Sequence, residues 1–322
     1  MPRAFLIDTD TASDDAVALI MALRAPDVDV LAITIVAGNV NVTQAVHNAL
    51  YTAGLCGADV PVFAGTAHPL LREHMHAEWF HGKDGLGDHD YPVARRRPEP
   101  VHAVEAIIET VRGHPGITLV TLGPLTNVAL ALSRAPEIAA NVGRVVVMGG
   151  APCCEGNVTP AAEYNIWVDP EAARIVARSN LPIELVGWQL CRGPAALDSA
   201  DIAHVLSIGS PLARFAIECN STAMAAYKVQ TGETGISLPD PVAMSIALDP
   251  SICISASDHF LEIETGSDLT RGMTVVDRLD IAGNERNRSS WKQALSSGRK
   301  ARICWAIDVP RWKQALYAAL GG

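Results

Sequence analysis

Four aspartates close to the N-terminus are the side chains of this 322-residue chain whose type and spacing most clearly indicate chemistry. They are Asp8, Asp10, Asp14 and Asp15, and they follow a short apolar run. One or two of them could cap the next helix and complement its dipole. The mutual repulsion of four carboxylates is too large for that role alone, so the cluster predicts a bound cation. Oxygen ligands without a nearby histidine or cysteine favour Ca²⁺ or Mg²⁺ over zinc.

The elements that must position this cluster alternate along the chain between strands and helices. Strands are predicted at residues 4–7, 28–36, 60–63, 117–122, 144–148 and 183–186, and helices at 14–24, 42–56, 101–111, 125–133 and 170–178. This alternation predicts a single α/β domain over residues 1–322, with an open, mostly parallel central sheet flanked by helices. Ligands bind such sheets at the carboxyl ends of the strands, which is where the aspartates lie.

The C-terminal third of the chain is less regular. A helical stretch is predicted at residues 211–227, followed by a segment at 231–235 that could form a lid with glycine hinges. The next helix starts at Pro239, which makes Asp240 a further candidate metal ligand. Further strands are predicted at 260–263, 274–276 and 301–307, a last helix at 310–320, and a long loop at 68–97.

Composition excludes several classes of protein. With 49% hydrophobic and 19% charged residues the chain is globular and not disordered. The net charge of −10 argues against nucleic acid as a partner, and no apolar run is long enough to cross a membrane. The N-terminus does not have the pattern of a signal peptide, and the seven cysteines lack CxxC spacing. We therefore expect a cytoplasmic protein with reduced thiols.

The motifs together resemble the inosine–uridine-preferring nucleoside hydrolases. The segment DTDTASDD at residues 8–15 matches the DxDxxxDD signature of that family. The resemblance continues in order through TIVAGN at 34–39, FHG at 80–82, GLG at 85–87, LGPLTN at 122–127, VMGG at 147–150, GNVTPAAEYNI at 156–166 and DPEAA at 169–173. It covers essentially the whole chain. It implies a nucleoside-hydrolase-like fold with a Rossmann-like core, and hydrolysis of ribonucleosides to ribose and free base.

The resemblance also implies a calcium site and a catalytic base. The carboxylates of Asp10, Asp15 and Asp240 and the backbone carbonyl of Leu122 match the protein ligands of a Ca²⁺ ion at the bottom of the pocket. Asp14 matches the general base that deprotonates a calcium-held water. That water attacks C1′ through an oxocarbenium-like transition state. Family members are typically homodimers or homotetramers, so a homo-oligomer acting in nucleoside salvage is implied as well.

Residues at later strand ends match, or could serve as, substrate contacts. The family's ribose contacts match Asn39, Asn157, Glu163 and Asn165. Asp240 is expected to contact the ribose beside the ion, and Met148 is a further candidate for contact with the substrate. Some of these could instead serve the fold, for example Asn39 as a turn residue and Met148 as core.

The sequence departs from the family pattern at Pro239. One group of the family has a histidine there, and that histidine protonates the leaving base. Proline cannot donate a proton, so activation of the base is expected to come from elsewhere. The candidates are His81, Trp79, Trp188, Tyr227 and Gln230. Of these, His81 is the candidate acid. The two tryptophans could stack on the base, which slightly favours purine or broad specificity over pyrimidine specificity.

Two other functions fit part of the pattern. A nucleoside or ribose sensor would bind without turnover, and Pro239 is compatible with it, but a sensor has no need of Asp14 beside a metal. A Mg²⁺-dependent phosphatase of the haloacid-dehalogenase type also begins with DxD after a strand. It expects threonine or valine where Ala12 stands, and it does not call for the pair Asp14 and Asp15.

Overall fold

A computed structural model describes residues 2–321 of the protein. Ten strands lie in this part of the chain: β1 Arg3–Thr9, β2 Val28–Ile35, β3 Val62–Ala64, β4 Ile117–Thr121, β5 Val142–Met148, β6 Ile183–Val186, β7 Cys253–His259, β8 Leu261–Ile263, β9 Thr274–Val276 and β10 Ala301–Ile307. Eight of them form one sheet in the order β3-β2-β1-β4-β5-β6-β10-β7, and β8 pairs with β9 separately. Each neighbouring pair in the large sheet is parallel except β10 and β7. The predicted fold class is confirmed.

Helices cover both faces of this sheet. The same residues contain α1 Ser13–Leu23, α2 Val42–Leu55, α3 Glu78–His81, α4 Ala103–Gly113, α5 Thr126–Arg134, α6 Tyr164–Val168, α7 Pro170–Ala177, α8 Ser199–Ser207, α9 Pro211–Glu218, α10 Ser221–Thr231, α11 Pro239–Leu248, α12 Glu285–Arg288, α13 Lys292–Ser297 and α14 Val309–Leu320. Within residues 2–321, no helix combines the length and apolarity that crossing a membrane would require.

The centre of the sheet is buried on both faces. The last five residues of β1 are buried, and so are the last four of β2 and β5. One apolar cluster lies between the sheet and helices that include α1, α2 and α11, and a second lies on the opposite face against α4, α5 and α7. Apolar burial of this kind contributes about 25 cal/mol per Å². It holds the carboxyl ends of β1, β2, β4 and β5 at one edge of the sheet.

Some elements differ in extent from the prediction, and others were not predicted. The stretch predicted at 211–227 is two helices, α9 and α10, which separate at Cys219 and Asn220. The loop predicted at 68–97 contains the short helix α3. The sequence did not predict α8, nor β7, which pairs antiparallel at the sheet edge and is nowhere fully buried. An exposed edge strand lacks the apolar run that identifies a central one.

Candidate active site

The end of β1 places two aspartates inside the protein. Asp8 lies in the strand and its Oδ1 accepts hydrogen bonds from Thr34 Oγ1 at 2.6 Å and from Asn127 Nδ2 at 2.9 Å. Burial raises its pKa to about 7. Asp10 follows the strand, and its Oδ2 accepts from the backbone N–H of Asn39 at 2.6 Å. Both side chains are thus fixed by neighbouring strand ends.

Two glycines make room for Asp10. A Cβ atom added to Gly38 would lie 2.0 Å from Asp10 Oδ2, and one added to Gly123 would lie 2.6 Å from Asp10 Oδ1. These distances are far below van der Waals contact, so a side chain at either position would displace the carboxylate. The motif residues that follow β2 and β4 therefore shape the space around this aspartate.

The first turns of two helices bring further carboxylates to the same place. Asp14 and Asp15 begin α1, and Asp240 begins α11, which packs against α1. One carboxylate oxygen of each lies within 4.8 Å of the other two. Thr9 Oγ1 donates to Asp15 Oδ1 at 2.5 Å, and Ala12 N–H donates to Asp15 Oδ2 at 2.9 Å.

The acidic cluster, which we define as Asp8, Asp10, Asp14, Asp15 and Asp240, fits a hard divalent cation. All five side chains are buried. Burial, and then the charge of Asp15, raises the pKa of Asp14 to about 8, and burial raises the pKa of Asp10 and of Asp240 well above the usual range. Among the described residues, Asp8 Oδ2, Asp10 Oδ1 and Asp14 Oδ1 are buried with no hydrogen-bond partner. Unpaired, buried carboxylate oxygens are the donors that Ca²⁺ and Mg²⁺ prefer.

A second group of polar residues holds the loop beyond β5. Glu163 caps α6, since its Oε1 accepts from Asn165 N–H at 2.9 Å. Its Oε2 accepts from Gly150 N–H at 2.8 Å, which ties the start of α6 to the segment after β5. Asn165 Nδ2 donates to the carbonyl oxygen of Leu122 at 2.7 Å. A carbonyl has two lone pairs, so Leu122 can still act as a metal ligand. Asn157 Oδ1 accepts from Tyr164 N–H at 2.9 Å.

These groups surround one cavity of about 670 Å³, its open mouth included. The predicted site residues that line it are Asp14, Asn39, Trp79, His81, Leu122, Met148, Asn157, Glu163, Asn165, Trp188 and Asp240. Gln230 also lines it, and its Nε2 donates to the Asn157 carbonyl. Asp10 and Asp15 are not among the lining residues and are fully buried beside Asp14. The cavity thus has an acidic end and an aromatic end.

Trp79, Phe80 and Trp188 form the aromatic end, and His81 stands between it and the acidic cluster. His81 Nδ1 lies 2.8 Å from Ser13 Oγ and 3.8 Å from Asp14 Oδ1, and burial lowers the pKa of its imidazole to about 3. The ring is therefore neutral near pH 7 and can donate only one N–H. Trp188 is 3% exposed, whereas Trp79 on α3 is 59% exposed.

Tyr227 does not line the cavity. It is buried behind Trp188, with the two ring centroids 6.5 Å apart and nearly perpendicular, and its hydroxyl donates to Glu233. Arg192 donates to the same glutamate at 3.0 Å, which ties down the segment 231–235. Opening of this segment as a lid stays a prediction.

Several cavity residues were missed from the sequence: Phe80, Tyr164, Asn220 and Ser237. Tyr164 lies between two predicted site residues, and its hydroxyl is 2.8 Å from the carbonyl oxygens of both Gly38 and Met75. Its position between Glu163 and Asn165 was the available signal. Asn220 had no such signal, since it fell inside a stretch predicted to be continuous helix.

Comparisons with known proteins agree with this geometry. A family model described as inosine-uridine preferring nucleoside hydrolase matches residues 5–314. The chain is 40% identical over 290 residues to the pyrimidine-specific ribonucleoside hydrolase RihA of Shewanella sp. (strain ANA-3), covering 89% of this chain and 90% of that protein. It is 37% identical over 301 residues to the RihA of Salmonella gallinarum, covering 92% and 96% respectively.

Solved structures show the same fold over the full length. A plant nucleoside hydrolase superposes with a TM-score of 0.92 at 30% identity, covering 100% of both chains. A purine-preferring ribonucleoside hydrolase from Gardnerella vaginalis superposes with a TM-score of 0.87 at 29% identity, covering 99% of this chain and 98% of that one.

Proposed function

Because the chain belongs to the inosine–uridine-preferring nucleoside hydrolase family and is a ribonucleoside hydrolase, we propose that it cleaves the N-glycosidic bond with Asp14 as the general base and Ca²⁺ as its cofactor. The observation that carries this proposal is the acidic cluster at the cavity floor, with three buried carboxylate oxygens that lack partners.

The chain's own residues divide the work of the reaction. Asp14 is at the cavity wall and takes the proton of the water that attacks C1′. As the glycosidic bond breaks, positive charge develops on the ribose ring. The carboxylate of Glu163 and the amide oxygens of Asn39 and Asn165 are acceptors at the wall that suit this charge and the ribose hydroxyls.

The residues proposed to hold the ion are Asp10, Asp15, Asp240 and the carbonyl of Leu122. A bound divalent cation supplies Lewis acidity that eases deprotonation of water, and it offsets the repulsion among the carboxylates. An assay of metal content after purification, with and without chelation, identifies the ion.

In this proposal, His81 activates the leaving base. Its pKa of about 3 means that the neutral imidazole donates an N–H to the base and does not act as an imidazolium acid. Trp188 and Trp79 supply apolar faces for the base on the inner and outer sides of the cavity.

We propose pyrimidine ribonucleosides as the substrates, with cytidine and uridine tested first. The relatives at 37–40% identity carry pyrimidine-specific names, whereas similar solved structures at 28–29% identity carry purine names. The sequence alone slightly favoured purine or broad specificity. The relatives of higher identity therefore favour pyrimidine nucleosides over the purine nucleosides that the sequence slightly favoured. An assay of ribose release decides between the two classes of substrate.

The test of hydrolysis is ribose released from cytidine, uridine, adenosine, guanosine and inosine, each offered separately. We expect the largest kcat/KM with a pyrimidine nucleoside and loss of activity after chelation. Restoring Ca²⁺ should restore turnover. No ribose from any of the five by calcium-replete protein would contradict the proposal and favour a nucleoside sensor.

The calcium proposal has a second test that does not depend on activity. The folded-state pKa values of Asp8 and Asp14 lie above the unfolded value near 4. Protonation of these two carboxyl groups therefore stabilises the cation-free fold. This stabilisation is lost as the pH rises from about 4 to about 8. A cation binds the ionised carboxylates. We therefore expect the rise in Tm on adding Ca²⁺ to grow from about pH 5 to about pH 8, and a constant shift would count against the site.

A further inference from the structure

One hydrogen bond holds the ring of His81 against the first turn of α1. Its Nδ1 lies 2.8 Å from the hydroxyl oxygen of Ser13, and both side chains are buried. The backbone of His81 is fixed as well, since its N–H donates to the Ala77 carbonyl at 3.0 Å and its carbonyl accepts from Gly87 N–H at 2.9 Å. Ser13 is 0% exposed and does not line the cavity, so it can influence a substrate only through a neighbouring side chain.

The other ring nitrogen of His81, Nε2, is the one that can meet a ligand. His81 lines the cavity. Within residues 2–321 Nε2 makes no hydrogen bond, and it is not among the unpaired polar atoms that the fold encloses. Nε2 is therefore open to the cavity. Because a neutral imidazole carries a single ring hydrogen, Nε2 can donate to a leaving base only in the tautomer that places this hydrogen on Nε2.

The two polar neighbours of Nδ1 favour opposite positions for the ring hydrogen. Asp14 Oδ1 lies 3.8 Å from Nδ1, and an ionised carboxylate there attracts an Nδ1–H. The Ser13 hydroxyl can accept from an Nδ1–H or donate to an Nδ1 lone pair. In the described part of the chain, Nδ1 is the one hydrogen-bond partner of this hydroxyl oxygen. Donation to Nδ1 therefore satisfies the buried hydroxyl hydrogen, whereas acceptance would leave that hydrogen unpaired.

We infer that Ser13 is a positioning residue for activation of the leaving base: its hydroxyl donates to Nδ1 of His81 and so keeps the ring hydrogen on Nε2, open to the cavity. The inference rests on the proposed function, in which His81 donates to the base, and adds the residue that selects the tautomer. Without the hydroxyl, Asp14 draws the ring hydrogen to Nδ1. Nε2 then presents a lone pair to the base, and the hydrogen bond to the leaving group is lost.

The tautomer can be observed without turnover. In the full-length, calcium-replete protein labelled with ¹⁵N-histidine, the ¹⁵N chemical shifts of a neutral ring distinguish a protonated from an unprotonated nitrogen. The chain has ten histidines, and the pair of signals lost in His81→Asn identifies those of His81. We expect the hydrogen on Nε2 in the wild-type protein and its movement, at least in part, to Nδ1 in Ser13→Ala. An Nδ1–H in the wild-type protein, or an unchanged tautomer in folded Ser13→Ala, overturns the inference.

Kinetics test whether the tautomer matters for the reaction. We expect Ser13→Ala to lower kcat for cytidine about tenfold, the contribution of one hydrogen bond, and to change kcat for nitrophenyl riboside much less. Ser13→Thr keeps a hydroxyl and should retain the wild-type ratio of the two kcat values. Ser245→Ala is the matched control, because Ser245 of α11 is equally buried and its hydroxyl donates to the Val242 carbonyl at 2.7 Å. It should leave the ratio unchanged.

A double variant separates positioning from a general structural role. Ser13→Ala combined with His81→Ala should lose no more activity on cytidine than His81→Ala alone, because Ser13 acts through the imidazole. Additive losses, or an equal loss on both substrates in Ser13→Ala, overturn the inference and make Ser13 a support of the acidic cluster. If Ser13→Ala does not fold, the ¹⁵N measurement on the wild-type protein still decides. Absence of turnover by the wild-type protein on nitrophenyl riboside and on all nucleosides would instead refute the proposed function.

Discussion

At the acidic end of the cavity the side chains are held by strand ends and by the first turns of α1 and α11, whereas at the aromatic end they come from short or broken helices. Asp10 and Asp15 are completely buried and hydrogen-bonded to backbone groups, but Trp79 on the four-residue helix α3 is largely exposed. The acidic end, where the proposed reaction takes place, is thus built from the core of the fold. The aromatic end, which meets the base in the same proposal, is built from elements that can change without disturbing that core.

This difference explains how one fold can serve several bases. Replacing a residue at the acidic end leaves a buried charge unpaired or removes a group whose position the sheet defines. Replacing an exposed residue of α3, such as Trp79, changes a surface that packs less tightly. We therefore expect substitutions at the acidic end to abolish turnover, and those at the aromatic end to change the choice of base.

The largest effect is expected for Asp14→Ala. Loss of a general base lowers kcat by about 10² to 10⁴-fold, and calcium content should be retained because the other carboxylates of the acidic cluster remain. Ribose release and metal analysis measure the two quantities. Asp258→Ala, an exposed aspartate of β7, is the matched control. Near-normal turnover by Asp14→Ala would remove Asp14 as the base.

The difference between the acidic and the aromatic end of the cavity also explains which parts of the site the sequence could predict. Asp8, Asn39, Leu122 and Met148 each stand at or just beyond the carboxyl end of a parallel strand, and a sheet brings such ends together whatever lies between them. Alternating apolar runs identify those strands. The acidic end of the cavity and the fold class follow from the same pattern.

The aromatic end could not be predicted in this way. The break between α9 and α10 carries no glycine or proline, so Asn220 was placed within a continuous helical stretch and its position beside the cavity was missed. Tyr227 was predicted to contact substrate, but packing against Trp188 places it behind the cavity wall. Which side of an irregular segment faces a cavity depends on tertiary packing, and local pattern does not encode it.

A smaller effect is expected for His81→Ala, and it should depend on the leaving group. A neutral imidazole that donates one hydrogen bond contributes about tenfold to the departure of a poor leaving group such as a nucleobase. Nitrophenyl riboside leaves without such help. We therefore expect kcat to fall about tenfold for cytidine and much less for nitrophenyl riboside, with the exposed His114→Ala unaffected on both. An equal loss on the two substrates would assign His81 a structural role through its contact with Ser13.

The smallest effect is expected for Trp79→Ala at the cavity mouth. Trp79 is 59% exposed, so its removal leaves the core intact and costs only the contact between its ring and the base. Aromatic contacts of this kind contribute about 0.5–1.5 kcal/mol, or roughly two- to tenfold in affinity. KM for nucleosides should rise by that factor while kcat and Tm stay unchanged, and Val93→Ala, exposed in the same long loop, should alter neither constant. A large fall in kcat would mean that α3 also orders the acidic end, and the division between the two ends of the cavity would not hold.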